Sequence, residues 1–345
     1  MPPSTSGVKT IKTWQIILPV ELGLFVVAWL LFDELNTTAF ASFRFTFRSL
    51  VFIAGAMLLM VLRDMAMMTR FRIFTNNVLS WRQAFTVNVL SEFTSAITPT
   101  AVGGSSLAVF FLAKEGIAVG KGTVITLVSV MLDKLYFVVV FPILFILLPL
   151  HLLFPPSAGL ISSIGYVFAV VFSIHLLWTI LLFVSVFIYP YWATQILSAL
   201  FRLPVLRRWR IRAENVSAHI VQASKDTQAY PVSFWLKTFA LTVVAWTARF
   251  MVVNLLFFAW APAANGLAIF ARQLVVWVSM EALPTPGGSG ASEWMFKEYY
   301  GDLIFQGSIL IVITIIWRLL TYYAYLLLGV LVTPKWLRKP RKVNV

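Results

Sequence analysis

Cysteine is absent from the 345 residues, which excludes disulfides and thiolate chemistry. Charge is scarce as well, at 12% of the chain against 60% hydrophobic residues. A soluble domain carries about 25% charged residues, so this composition points to a polytopic helical membrane protein. Acids are the rarer sign, 13 Asp and Glu against 27 Lys and Arg, which leaves a net charge of +14. In a soluble protein that surplus would suggest nucleic acid. Here the cations gather in short loops, so membrane orientation and anionic lipid headgroups account for them better, and no nucleic-acid partner is expected. Histidine is reduced to His151, His175 and His219, far apart and without ligand spacing, so no metal is expected. Phosphate loops, nucleophile elbows and paired catalytic carboxylates on a soluble domain are also missing. No cofactor, no ATP and no enzymatic activity are therefore expected.

What is present is apolar length. Six runs are long enough to cross a bilayer, near 14–32, 47–65, 123–149, 160–188, 233–260 and 307–332. Lys9 and Lys12 give the first run the look of a signal peptide. Its length of about 19 residues and the lack of a cleavage site make it a retained span. Two further apolar segments, 84–116 and 268–300, are interrupted. One breaks at TPTAVGGSS (Thr98–Ser106), the other at EALPTPGGSGASE (Glu281–Glu293). Pro286 has no amide donor, and Gly287 and Gly288 tolerate any backbone angle, so neither segment stays helical through its break. In hydrocarbon, broken backbone is tolerated only inside protein or beside a wet cavity. Each segment is therefore expected to be a re-entrant hairpin with arms of about 10–16 residues, the alternative being ordinary spans joined by a loop.

Positive charge sets the sides. Arg63, Arg70, Arg72 and Arg82 follow the second span, Arg202, Arg207, Arg208, Arg210 and Arg212 the fourth, and Lys335, Arg338, Lys339, Arg341 and Lys342 the sixth. With six spans and two hairpins, all three clusters and both termini fall in the cytoplasm. Arg44 and Arg48 fall on the opposite side. The segment 189–230 is expected to lie on the inner surface as an amphipathic helix, or to be a solvated loop. The first hairpin then enters from the cytoplasm and the second from outside, as an inverted repeat requires. A shift of about 185 residues maps Pro99 onto Pro284, Gly103 onto Gly288 and Asp133 onto Arg318. The expected fold is all-α: about six transmembrane helices plus two re-entrant hairpins, in one membrane domain spanning 1–345. Its repeat halves lie near 47–149 and 232–332, joined by the span at 160–188 and the basic segment at 189–230.

The second arm of each hairpin opens just past its glycines. Gly103 and Gly104 precede one helix, which Ser105 and Ser106 open; Gly287 and Gly288 precede the other, which Ser289, Ala291 and Ser292 open. Helix N-termini present free N–H groups and positive dipole ends, which suit a phosphate. Two such ends converging would cradle a lipid phosphate moving between leaflets. Plain capping and close packing are the alternative. Asp133 and Arg318 each lie about 15 Å into a span, so they form a salt bridge or meet a charged headgroup. Lys134, next to Asp133, must point elsewhere. Arg249 is placed to hold a phosphate or the loose carbonyls near Pro284. Glu293 stands in the first turn of its helix, where a carboxylate caps well. Glu281 flanks the same break, Glu92 is expected to face the cavity, and His175 to be a satisfied buried histidine without an acidic neighbour in sequence.

Several of these segments resemble one family. PTPGGSGASE at 284–293, WRLLTYYAYLLLG at 317–329, TPTAVGGSSLAVFFLAKEGI at 98–117 and LDKLYF at 132–137 are similar to the flippase-like membrane domain of the lysylphosphatidylglycerol synthase/flippase family. Ser289 departs from the apolar residue expected at its place. The resemblance implies a multi-pass protein of the bacterial inner membrane that moves a phospholipid, or another anionic or zwitterionic amphiphile, between leaflets. Headgroup contacts would fall on Gly103, Gly104, Gly287, Gly288, Glu293, Asp133 and Arg318. The family's larger members append a soluble aminoacyl-transferring domain; the chain given ends at Val345, so synthase activity is not carried over. A homo-oligomer is possible. An intramembrane enzyme acting on a lipid-linked substrate, or a scaffold for a lipid-modifying enzyme, are the rival functions.

Overall fold

The computed structural model describes residues 45–98, 104–154, 161–189, 221–281, 291–304 and 307–338. The expected first span, most of the basic segment after the fourth span, and the glycines at 103, 287 and 288 lie outside them.

Every regular element among the described residues is helical. Helix α1 (Phe47–Phe74) opens on a capping box, in which Thr46 Oγ1 accepts from Ser49 N at 3.2 Å and Thr46 N donates to Ser49 Oγ at 2.9 Å. It closes on Asn76 and Asn77, both with positive φ, whose amides donate to Ile73 and Arg72 carbonyls. Helix α2 (Trp81–Ile97) has its own capping box in Ser80 and Gln83. It ends at Thr98, which takes the extended backbone (φ −113°, ψ 151°) forced on a residue before proline. Helix α3 (Gly104–Lys114) stops at Gly116, whose φ of 100° lets Ile117 N return to Leu112 O at 3.0 Å. Then come α4 (Val119–Leu147), a single turn at Leu150–Leu153, and α5 (Ile161–Phe183), which runs on as a π-turn to Ile188. Helix α6 (Val232–Trp260) starts at Pro231, and α7 (Gly266–Met280) is capped by Asn265, which accepts from Leu267 N and Ala268 N. After α8 (Ala291–Tyr300), helix α9 (Gly307–Arg318) passes through a π-turn at Leu319–Tyr323 into α10 (Ala324–Arg338).

Among the described residues, five helical stretches are long and apolar enough to cross a membrane: 47–74, 119–147, 166–188, 232–260 and 309–338. They match the second to sixth expected spans. The protein is an all-α, multi-pass membrane protein. Helices α1 and α6 pair antiparallel along their whole length. Arg48 donates to Phe258 O at 2.9 Å at one end, Arg70 meets Thr242 at 2.8 Å further along, and the Phe74 and Phe234 rings lie 5.8 Å apart at the other end. The Arg48 contact explains a cation on the side poor in positive charge, because it supplies a donor to a carbonyl at the C-terminal turn of α6.

The short helices form two pairs. Helices α2 and α3 pack together, with the open end of the pair beside the end of α10. There Gln83 Nε2 and Trp336 Nε1 both donate to the Glu115 carboxylate, at 2.9 and 2.8 Å. The far end of α2 reaches Tyr322, whose hydroxyl donates to Ala96 O at 3.3 Å. From Trp336 back to Tyr322 the chain climbs about 21 Å at ~1.5 Å per residue, more than half of a ~30 Å hydrocarbon core. Helices α7 and α8 form the second pair, entering from the opposite end, where Asn265 follows α6. Their tip is marked by Glu281, which meets the midpoints of α4 and α5, and by Glu293, which meets Arg318.

One expectation fails here. The sequence pattern places Arg63 and Arg70 among the cations that follow a span ending near 65. Helix α1 continues to Phe74, and both arginines are buried within it, at 2% exposure each. The residues Met65–Phe74 are apolar enough to prolong the helix. Arg63 and Arg70 stand seven residues apart, on one face.

Candidate functional site

The long helices and both hairpins bring ionisable side chains together inside the bundle, over about 10 Å of depth from Arg63 to Arg70. Arg63 of α1 lies between two carboxylates. It pairs with Glu92 of α2, and its Nη1 lies 2.6 Å from Asp64 Oδ1. Tyr325 Oη donates to Asp64 at 2.8 Å, and Asn88 Nδ2 donates to the same oxygen at 3.0 Å. The second oxygen of Glu92 accepts from Arg249 of α6 at 3.1 Å. One carboxylate on a hairpin arm therefore joins guanidiniums from both helices of the antiparallel pair. Arg249 also donates to Thr321 O at 3.3 Å and lies 4.6 Å from the centre of the Trp277 ring. Thr321 sits in the π-turn, a bulge of the kind that marks functional sites in helices.

Arg318 faces the second hairpin. Its Nε donates to Glu293 Oε1 at 2.7 Å, and the other Glu293 oxygen accepts from Ser292 Oγ at 2.7 Å. The guanidinium lies 4.1 Å from the centre of the Tyr322 ring. Asp133 is elsewhere. It takes Arg70 at 2.6 and 3.2 Å and Trp246 Nε1 at 3.0 Å. The expected Asp133–Arg318 salt bridge is thus not formed. Each residue has a nearer opposite charge, supplied to Asp133 by the unsuspected length of α1 and to Arg318 by the hairpin. Lys134 does point away from its neighbour. Its ammonium reaches Glu281 Oε2 at 2.6 Å and His175 Nε2 at 2.7 Å. His175 does have an acidic neighbour, Glu281 at 3.1 Å, which comes from a segment more than a hundred residues away along the chain.

Taken together, Arg63, Arg70, Lys134, Arg249 and Arg318 face Asp64, Glu92, Asp133, Glu281 and Glu293, five cations against five carboxylates among the described residues. Among the described residues the layer is formally neutral. An unpaired charge at this depth costs at least about 2.5–3.5 kcal/mol, and pairing lowers that cost without removing the desolvation of each ion. Of the expected site residues, the structure places Asp133, Arg249, Glu293 and Arg318 in this layer. Gly104 opens α3 and Ser105 follows it in the first turn. Gly103, Gly287, Gly288 and Ser289 lie outside the described residues. Arg63, Asp64, Arg70, Asn88 and Tyr325 were not foreseen. The seven-residue spacing of the two arginines was the available signal.

A separate ion pair ties the second hairpin at its open end. Arg272, 1% exposed, donates to Leu152 O at 2.7 Å, Tyr299 O at 2.8 Å and Asp302 Oδ2 at 2.9 Å. It joins α7, the end of α8 and the turn after α4.

Residues 16–329 match the family described as the lysylphosphatidylglycerol synthase TM region. A UPF0104 membrane protein of Archaeoglobus fulgidus is 24% identical over 266 residues, covering 74% of this chain and 77% of that protein. No solved structure matches. The matched span contains the whole ion-paired layer.

Proposed function

Since the chain belongs to the family of the lysylphosphatidylglycerol synthase TM region, we propose that the ion-paired layer is a passage for the headgroup of an anionic or zwitterionic lipid moving between leaflets. The observation that carries this reading is Glu92, one carboxylate shared by Arg63 and Arg249. A phosphodiester has the same two-oxygen face as a carboxylate and matches guanidinium donors equally well. An incoming headgroup can therefore take the place of Glu92, leaving both arginines paired throughout. Arg318 and Glu293 offer a second exchange of the same kind from the other hairpin. The amide-bearing first turns of α3 and α8, opening after each break, add donors for the phosphate oxygens. The tails remain in lipid while the headgroup crosses.

The antiparallel pairing of α1 and α6 and the opposed entry of the two hairpins support an inverted repeat, with the site near its axis. That arrangement would expose the same layer to either side in turn. The natural home of such an activity is a bacterial cytoplasmic membrane, with the basic ends of α1 and α10 facing the cytoplasm.

The test uses the purified full chain in vesicles carrying an acyl-labelled fluorescent phospholipid, with a membrane-impermeant quencher outside. The chain should speed label transfer well above protein-free vesicles. Arg249→Lys keeps the charge but loses the fork, and transfer should fall about 10- to 100-fold, the worth of one charge-assisted contact. Transfer no faster than in protein-free vesicles would sink the reading. Full transfer in both Arg249→Lys and Glu293→Gln would move the path away from this layer.

A further inference from the structure

The lipid exchange leaves one cluster unused. Lys134, His175 and Glu281 belong to α4, α5 and the tip of the second hairpin, and meet near the midpoints of α4 and α5. Their hydrogen-bond partners assign the proton positions. His175 Nδ1 lies 2.9 Å from Val171 O, an acceptor only, so Nδ1 carries the hydrogen of the neutral ring. Nε2 is then a lone pair, and the Lys134 ammonium donates to it and to Glu281 Oε2 at once. A lysine–glutamate pair needs no imidazole. Here a basic nitrogen, on a residue 3% exposed, is aimed into the pair.

Few other charges among the described residues approach the three groups. Among the described residues, the helices packed on this part of α5 are α4 and α7, and the ionisable groups they turn toward His175 are Lys134 and Glu281. Asp133 turns to Arg70 and Trp246, and Arg272 turns to Asp302. The edge of Phe137 closes one side of the imidazole, with ring centres 5.8 Å apart.

We propose that Lys134, His175 and Glu281 form a proton-binding site coupled to the passage of an anionic headgroup, so that one proton crosses with each anionic lipid. The inference rests on the lipid-transfer reading above. The charge balance motivates it. The described residues of the layer balance five against five when empty, so an entering phosphodiester without a balancing cation shifts that balance to net negative in a medium that disfavours net charge. One proton restores neutrality. It bonds to His175 Nε2, and the Lys134 N–H···Nε2 hydrogen bond breaks. Lys134 keeps its bond to Glu281, and the new Nε2–H donates to Glu281 Oε2, which already lies 3.1 Å away. Release to water on the far side reverses each step. A zwitterionic lipid leaves the layer neutral and carries no proton.

The experiment reconstitutes the full chain in vesicles with a pH-sensitive dye inside and acyl-labelled phosphatidylglycerol or phosphatidylcholine as probe, protein-free vesicles serving as baseline. With phosphatidylglycerol, a one-unit pH step should drive about a tenfold leaflet ratio toward the alkaline side, since one coupled proton carries a factor of ten per unit. The dye should record protons moving with the lipid, and an imposed potassium-diffusion potential should have no effect. With phosphatidylcholine no proton should move. His175→Gln should still transfer phosphatidylglycerol but make it follow the potential instead of the pH step. If wild-type phosphatidylglycerol transfer follows the potential and moves no protons, the coupling is overturned while lipid transfer stands. If neither probe moves, the lipid-transfer reading itself fails. Should His175→Gln not fold, the contrast between the two probes in the wild type decides.

Discussion

Arg318 donates its Nε to Glu293 across 2.7 Å, with both side chains buried, and so fixes the second hairpin to the middle of the last long helix. Removing either partner leaves the other charge in a dry site, at a cost of about 3–5 kcal/mol. Replacing both with apolar residues of similar volume is far cheaper. Glu293→Gln and Arg318→Met should each lower the unfolding temperature in detergent sharply. The pair Arg318→Met with Glu293→Leu should recover most of that loss without recovering lipid transfer. Transfer that returned with stability would make this ion pair a packing device.

Arg272 has the opposite assignment, stability without passage. Its guanidinium satisfies two carbonyls and Asp302 together. Arg272→Lys keeps the charge, yet one ammonium cannot span three partners in the same directions. Stability should fall by at least about 2 kcal/mol, the worth of one or two charge-assisted bonds. The transfer rate per folded molecule should stay unchanged in the vesicle assay. A drop in that rate would place Arg272 in the passage.

The sequence announced the long helices because each is a nearly uninterrupted apolar run, and it announced both breaks because proline and glycine stop helices wherever they fall. Thr98 ends α2 in the extended form that Pro99 imposes. Ion pairing was less legible. A lone Asp133 or Arg318 signals an intramembrane charge, but which partner it takes depends on helix packing. Arg70 reaches Asp133 only because α1 lies beside α6 and α4, and Glu281 reaches His175 only because the hairpin folds back between α4 and α5. Arg63 is hard to place from sequence for a different reason. A positive charge at the end of an apolar window looks like a loop until the following turns are seen to be apolar too.

Gly329 of α10 lies against Phe93 of the first hairpin. A methyl placed on its α-carbon would stand 2.5 Å from the Phe93 Cβ and overlap the ring. The stem of a side chain cannot swing away, so the two helices must part. Gly329→Ala should destabilise the protein by about 1–3 kcal/mol. Phe93→Ala added to it should relieve the overlap, making the double variant more stable than the sum of the two singles. Strict additivity in thermal unfolding would show that these helices do not touch in the membrane.

The absence of cysteine makes any introduced thiol the sole label site, so the sidedness of the fold is directly measurable. Phe74 lies with Phe234 at one end of the antiparallel pair, and Arg48 with Phe258 at the other. Val78, exposed just past α1, and Ala263, exposed just past α6, therefore lie on opposite faces. Basic Arg72 and Arg82 flank the first, so Val78→Cys should react with an impermeant maleimide only from the cytoplasmic side, and Ala263→Cys only from the other. Thr98→Cys, at the tip of the first hairpin, should react far more slowly than Val78→Cys from the same side, because a tip at mid-depth is reached only through the protein. Equal rates at Val78 and Thr98 would put the break outside the hydrocarbon, and labelling of Val78 and Ala263 from one side would remove the inverted repeat along with it.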